Sequence, residues 1–166
     1  MLKFNRYIFS AASFFLIILV SLSSNALAQN TKIFKTAYTD IYYNDEADLK
    51  TFLWRISGKR FIFPSDLDAA ESSVDRIIER AESILDMQPD HFRIKLELYP
   101  KYEDGMIAFY SYKKNSITIY TDRVTDGVFA HEVSHSVICN YFDEPPPAKV
   151  QEILCQYVDR HLWSDY

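Results

Sequence analysis

Two imidazoles four residues apart, with a carboxylate beside the first, constrain this chain more than any other feature: His131-Glu132-Val133-Ser134-His135. On an α-helix that spacing turns about 40° and rises about 6 Å, so both rings can meet one metal ion. Val128, Phe129, Ala130, Val133, Val137 and Ile138 surround the group with apolar side chains, so the segment reads as a buried helix and not as a polar loop. With four histidines and nine glutamates in the chain, shuffling produces this pattern in roughly one trial in 250. The competing reading is a pair of core histidines satisfied by their neighbours.

The helix must stop near Tyr141, because Pro145, Pro146 and Pro147 cannot continue it. Proline is accepted in a first helical turn, so Pro147 can open a second helix running to about Trp163, and the two helices form a hairpin. A catalytic zinc usually has three protein ligands and an open fourth position. His135 lies six residues before Tyr141, about 9 Å along the axis, and Glu152 lies five residues after Pro147, about 7.5 Å along the returning helix. The two therefore stand at similar heights. Glu152 is also acidic inside the apolar stretch 150–154, where an unpaired carboxylate is costly. The alternatives are a solvent-facing Glu152 and, nearer the turn, Glu144.

Upstream, residues 36–43 are rich in β-formers, and 45–56 have helical spacing with Leu49, Phe52, Leu53 and Ile56 on one side. Residues 61–64 lead to Ser65 as an N-cap, then Leu67, Ala70, Val74, Ile77, Ile78, Ala81 and Leu85 mark a helix to about Met87. Phe92, Ile94, Leu96 and Leu98 alternate with polar residues as in a half-buried strand. A turn at 100–105, a strand at 106–112, a tight connection at 113–115 and a strand at 116–121 complete a small mixed sheet, and His91 reads as a surface or capping residue. The expected class is α+β: a sheet packed on helices, with a C-terminal helical hairpin carrying the site.

Residues 1–28 read as a secretory signal peptide: Lys3 and Arg6, an apolar run from Tyr7 to Val20, and Ala26-Leu27-Ala28 before Gln29. The apolar run is shorter than the 18 or more residues of a spanning helix. Cleavage after Ala28 leaves residues 29–166 as one exported domain, periplasmic or secreted, with no membrane span. Without Lys3 and Arg6 the formal charge moves from −5 to −7, and no basic cluster remains to follow a phosphate backbone, which argues against nucleic acid as a partner. Oligomeric state has no signature in the sequence.

Together, His131-Glu132-x-x-His135 and Pro147…Glu152-Ile153-Leu154-Cys155-Gln156-Tyr157 resemble the gluzincin zinc peptidases, in particular the bacterial peptidase MA-like domains, whose second helix typically reads P-x-W-hydrophobic-x-E-G-L-A-x-Y. Upstream, Ile107-Ala108-Phe109-Tyr110 followed by Ile117-Thr118-Ile119-Tyr120 is similar to the edge strand and next strand of thermolysin-like enzymes. The resemblance covers residues 92–163 and departs from the pattern at Ile153 for glycine, Cys155 for alanine and a missing tryptophan. It implies a zincin-like fold, Zn²⁺ held by His131, His135 and Glu152, and Glu132 as general base for the water that zinc activates. It implies a protein or peptide substrate, held as an added strand along Ala108, Phe109 and Tyr110. The other reading of that strand is an ordinary sheet edge. The other reading of the whole is a catalytically weak or inactive peptidase-like module that binds a secreted or cell-envelope partner.

Gln156 and Asp159 follow Glu152 by four and seven residues and share its helical face, so either can hydrogen-bond a ligand histidine; solvated polar residues are the alternative. Tyr157 and His161 are the candidates for transition-state stabilisation, although helix geometry turns both from the Glu152 face. Cys139 and Cys155 are the only cysteines. Export permits a disulfide between them, although helix heights of about 3 and about 12 Å from the turn disfavour it. Two buried thiols are the expected state instead, with a His-His-Cys site using Cys139 as a third possibility.

Overall fold

A computed structural model describes residues 31–58, 67–101 and 105–164. The expected leader, residues 61–64, the Ser65 cap and the Leu67 side chain lie outside the described residues, as does 102–104 of the expected turn. Among the described residues, five strands and four α-helices run in the order β1 (Lys32–Lys35), β2 (Thr39–Tyr43), α1 (Glu46–Ile56), α2 (Leu67–Leu85), β3 (Ile94–Tyr99), β4 (Ala108–Ser111), β5 (Ser116–Tyr120), α3 (Asp126–Tyr141) and α4 (Ala148–His161). The class is α+β, with one mixed sheet in the order β1-β2-β3-β5-β4. The central pairs β2–β3 and β3–β5 are parallel, while β1 and β4 pair antiparallel at the two edges.

Each helix forms where its apolar spacing supplies one buried face. Asp45 caps α1 by accepting from the Ala47 N–H at 2.9 Å, and Leu49, Phe52, Leu53 and Ile56 turn inward. On α2, Ala70, Val74, Ile77, Ile78 and Ala81 are fully buried. That helix ends on Asp86 in the left-handed region, with the Met87 N–H closing back on the Glu82 carbonyl. Thr125 caps α3 through the Val128 N–H. Unlike the others, α3 is buried on several sides, by Phe129, Ala130, Val133, Ser134, Val137 and Ile138. It is the central helix, against α1, α2, α4 and strands β4 and β5. Phe129 meets Phe52 edge to face, with ring centroids 5.4 Å apart; truncating a buried phenylalanine of this kind costs about 3–5 kcal/mol.

Two contacts close the α3–α4 hairpin, and a third ties its end to α2. A Cβ at Gly127 would collide with the Asp159 carboxylate, so glycine lets the start of α3 approach the end of α4. The Trp163 indole N–H donates to Asp126 at 2.7 Å. The Arg80 guanidinium, from α2, donates to the carbonyls of Leu162 and Ser164, satisfying acceptors at the end of α4.

Two expected elements change. The strand expected at 36–43 begins only at Thr39, because Thr36 forms a tight turn, its N–H donating to the Thr39 carbonyl and its hydroxyl meeting the Thr39 hydroxyl at 2.9 Å. That turn folds the preceding residues back as β1, which the sequence reading omitted. Pro147 is the residue before α4 and not its first turn, its carbonyl accepting from Val150 and Gln151, and α4 ends at His161. Among the described residues no helix is long and apolar enough to cross a membrane.

Candidate metal centre

The hairpin brings the two histidines and the acidic residue of the next helix together. Glu152 directs one carboxylate oxygen at each ring: Oε1 is 3.1 Å from His135 Nε2, and Oε2 is 3.5 Å from His131 Nε2. The His131 and His135 side chains are 21% and 14% exposed, whereas Glu152 is 51% exposed at the mouth of the site. Donor atoms on one tetrahedral Zn²⁺, with bonds of about 2.0–2.1 Å, are about 3.3–3.4 Å apart. Each of the two N···O separations is close to that spacing, one carboxylate oxygen to each ring. Glu144 is exposed and contributes nothing to this cleft.

Glu132 lies beside the pair, largely buried, and its Oε2 accepts the Tyr110 backbone N–H at 2.7 Å. Burial pushes its carboxyl above the usual carboxylate range, against the opposing pull of His135, His131 and that N–H. The same bond fixes the role of β4. Phe109 and Ser111 sit opposite Thr118 and Ser116 of β5, and the Tyr110 amide turns away from β5 toward the site, as the alternation of an antiparallel edge requires. Ala108 shares that outer side. Tyr110 also lays its ring parallel to His135, with centroids 6.4 Å apart and planes within 2°, and burial pushes its phenol up to about 12.

Asn115 locks the β4–β5 hairpin to α3, a function that its reading as part of a tight connection did not anticipate. It occupies the left-handed region at φ +44. Its Oδ1 accepts from the Tyr110 hydroxyl at 3.1 Å, from Ser136 at 3.0 Å and from Asn140 at 3.1 Å. Asparagine tolerates this backbone shape, so one residue both makes the turn and holds the edge strand beside Glu132.

Several expected positions are corrected. Gln156 is exposed, and Asp159 is packed against Gly127 at the far end of the hairpin. The residue beside His135 is Gln151: its Oε1 lies 3.2 Å from His135 Nδ1, while its Nε2 donates to the Pro146 carbonyl at 2.8 Å. Helical-face reasoning from Glu152 missed it because His135 faces the first turn of α4, one turn earlier than Gln156. Tyr157 and His161 do not line the cleft; their rings pack on each other at 4.1 Å on the outer side of α4. Cys139 and Cys155 are both free thiols, in keeping with their different heights on the hairpin. Only Cys155 is fully buried as expected; Cys139 is half-buried, because it faces the cleft wall 3.5 Å from Gln151 Oε1.

The resulting cleft, of about 590 Å³, is lined by Phe109, Tyr110, Tyr112, Pro145 and the polar group around His131, Glu132, His135 and Glu152. Compared with known proteins, the chain matches no family model, no curated protein and no solved structure.

Proposed function

We propose that the chain is an exported zinc metallopeptidase of zincin-like fold and gluzincin ligation that hydrolyses peptide bonds. One observation carries this reading: the Glu152 carboxylate reaches the Nε2 atoms of both His131 and His135 at ligand spacing. His131, His135 and Glu152 are the residues that would hold the metal. Zn²⁺ in such a site supplies Lewis acidity and lowers the pKa of water toward about 7.

Glu132 accepts the proton of the attacking water on its carboxylate and returns it to the leaving amine. The Tyr110 N–H holds Oε2, and Oε1 is the oxygen we assign to that transfer. The outer side of β4 offers the backbone groups of Ala108 and the Tyr110 carbonyl to an extended peptide, the Tyr110 N–H being held by Glu132, with Phe109 and Tyr112 exposed beside it to take apolar side chains. Gln151 holds the His135 ring, accepting from Nδ1 so that Nε2 keeps its lone pair for the metal.

The reading is tested by metal content and hydrolysis together. Purified chain should carry about one Zn²⁺, lost on Glu152→Ala, and should cleave an unstructured protein substrate in a chelator-sensitive way. Metal-free chain of unchanged fold after zinc loading and dialysis overturns it. Gln151→Ala should lower zinc affinity about 10–100-fold, the usual cost of losing such a support, measured by competition with a chromogenic chelator.

A further inference from the structure

Cys155 stands where the gluzincin pattern has alanine, and its surroundings are not those of an inert core thiol. It is fully buried on α4, three residues beyond Glu152, so the two side chains leave neighbouring turns of the same helix toward the same histidines. The ligand-capable atoms of His131, His135 and Cys155 all lie within 4.8 Å of one another. A thiolate and an imidazole bound to one tetrahedral Zn²⁺ are about 3.6 Å apart, so the grouping is within about an ångström of ligand spacing. Cys139, in contrast, is directed at the Gln151 amide.

We propose that Cys155 is a fourth protein ligand, so that the resting site is closed by His131, His135, Glu152 and Cys155. The inference rests on the metal-site reading above and extends it. On binding, the thiol gives its proton to solvent and its sulfur forms the fourth bond; nothing is oxidised. A sulfur donor tilts the site toward Zn²⁺, Cd²⁺ and Co²⁺ and away from Mg²⁺ and Mn²⁺. It also makes Glu152, the half-exposed member, the ligand that yields when water or substrate enters.

The test is the electronic spectrum of full-length chain loaded with Co²⁺ in place of zinc. Wild type and Cys139→Ala should show visible bands of a four-coordinate cobalt site together with a near-ultraviolet sulfur-to-cobalt charge-transfer band. Cys155→Ala should lose the charge-transfer band and keep the visible ones; Cys155→Ser, closer in volume, serves if the alanine variant does not fold. Visible bands without charge transfer in wild type, or a charge-transfer band that survives in the Cys155 variants or disappears in Cys139→Ala, overturn the fourth ligand alone. Failure of cobalt and zinc to bind at all overturns it together with the metal-site reading.

Discussion

Glu132→Gln is expected to lower peptide hydrolysis by about 10²–10⁴-fold, the usual contribution of a positioned general base, while zinc content stays at one per chain. The amide keeps the shape of the carboxylate and its carbonyl can still accept the Tyr110 N–H that Glu132 Oε2 accepts at 2.7 Å, but it cannot take a proton from water. Hydrolysis undiminished in this variant would refute the assigned role even with the metal in place. The substitution carries a second signature in the metal-free chain. Burial raises the Glu132 carboxyl, so folding favours its protonated form. Its contribution to stability is therefore present below the ordinary carboxylate pKa and lost as pH rises through the raised value. The uncharged amide escapes this loss. Metal-free Glu132→Gln should gain stability over wild type as pH rises from about 4 toward neutrality, and should match it in acid. Urea midpoints measured across that range check the sign; a gap that closes with rising pH contradicts it.

Zinc should stabilise the folded chain strongly, because its ligands come from two helices that only the native hairpin brings together. At free metal about 1,000 times its dissociation constant, linkage gives about 4 kcal/mol, or roughly 10–20 °C in Tm for a domain of this size. His131→Ala and His135→Ala should abolish most of that shift. Their metal-free midpoints should move far less, since both side chains lie at the cleft wall and outside the apolar core. An equal zinc-induced shift in wild type and both variants, read by circular dichroism melts, would place the metal elsewhere.

The parts of this site that could be read in the sequence are those set by helical geometry. Two imidazoles at i and i+4, a proline stop and a carboxylate at matching height on the return helix each follow from a rise of 1.5 Å per residue, and the structure brings His131, His135 and Glu152 together as that arithmetic implies. The strand alternation through Ile94, Leu96 and Leu98 was legible for the same reason, since one face of β3 is buried. What escaped depends on rotation and on backbone polarity. Gln151 and Gln156 differ by more than a turn of α4, and nothing in the sequence fixes which side of that helix meets His135. The Tyr110 amide is invisible to any reading of side chains, although it positions Glu132. Asn115 looked like turn chemistry alone, because its three acceptor contacts come from two other elements, Tyr110 on β4 and Ser136 and Asn140 on α3. β1 is exposed along most of its length and lacks the alternation that identifies a strand.

The most direct measurement is anomalous X-ray diffraction at the zinc edge from crystals of the zinc-loaded chain. A single strong peak bonded to Nε2 of His131, Nε2 of His135 and a carboxylate oxygen of Glu152 is the predicted result, with Sγ of Cys155 as the proposed fourth donor. A cleft without an anomalous peak, with Glu152 turned into solvent away from both rings, would contradict the account.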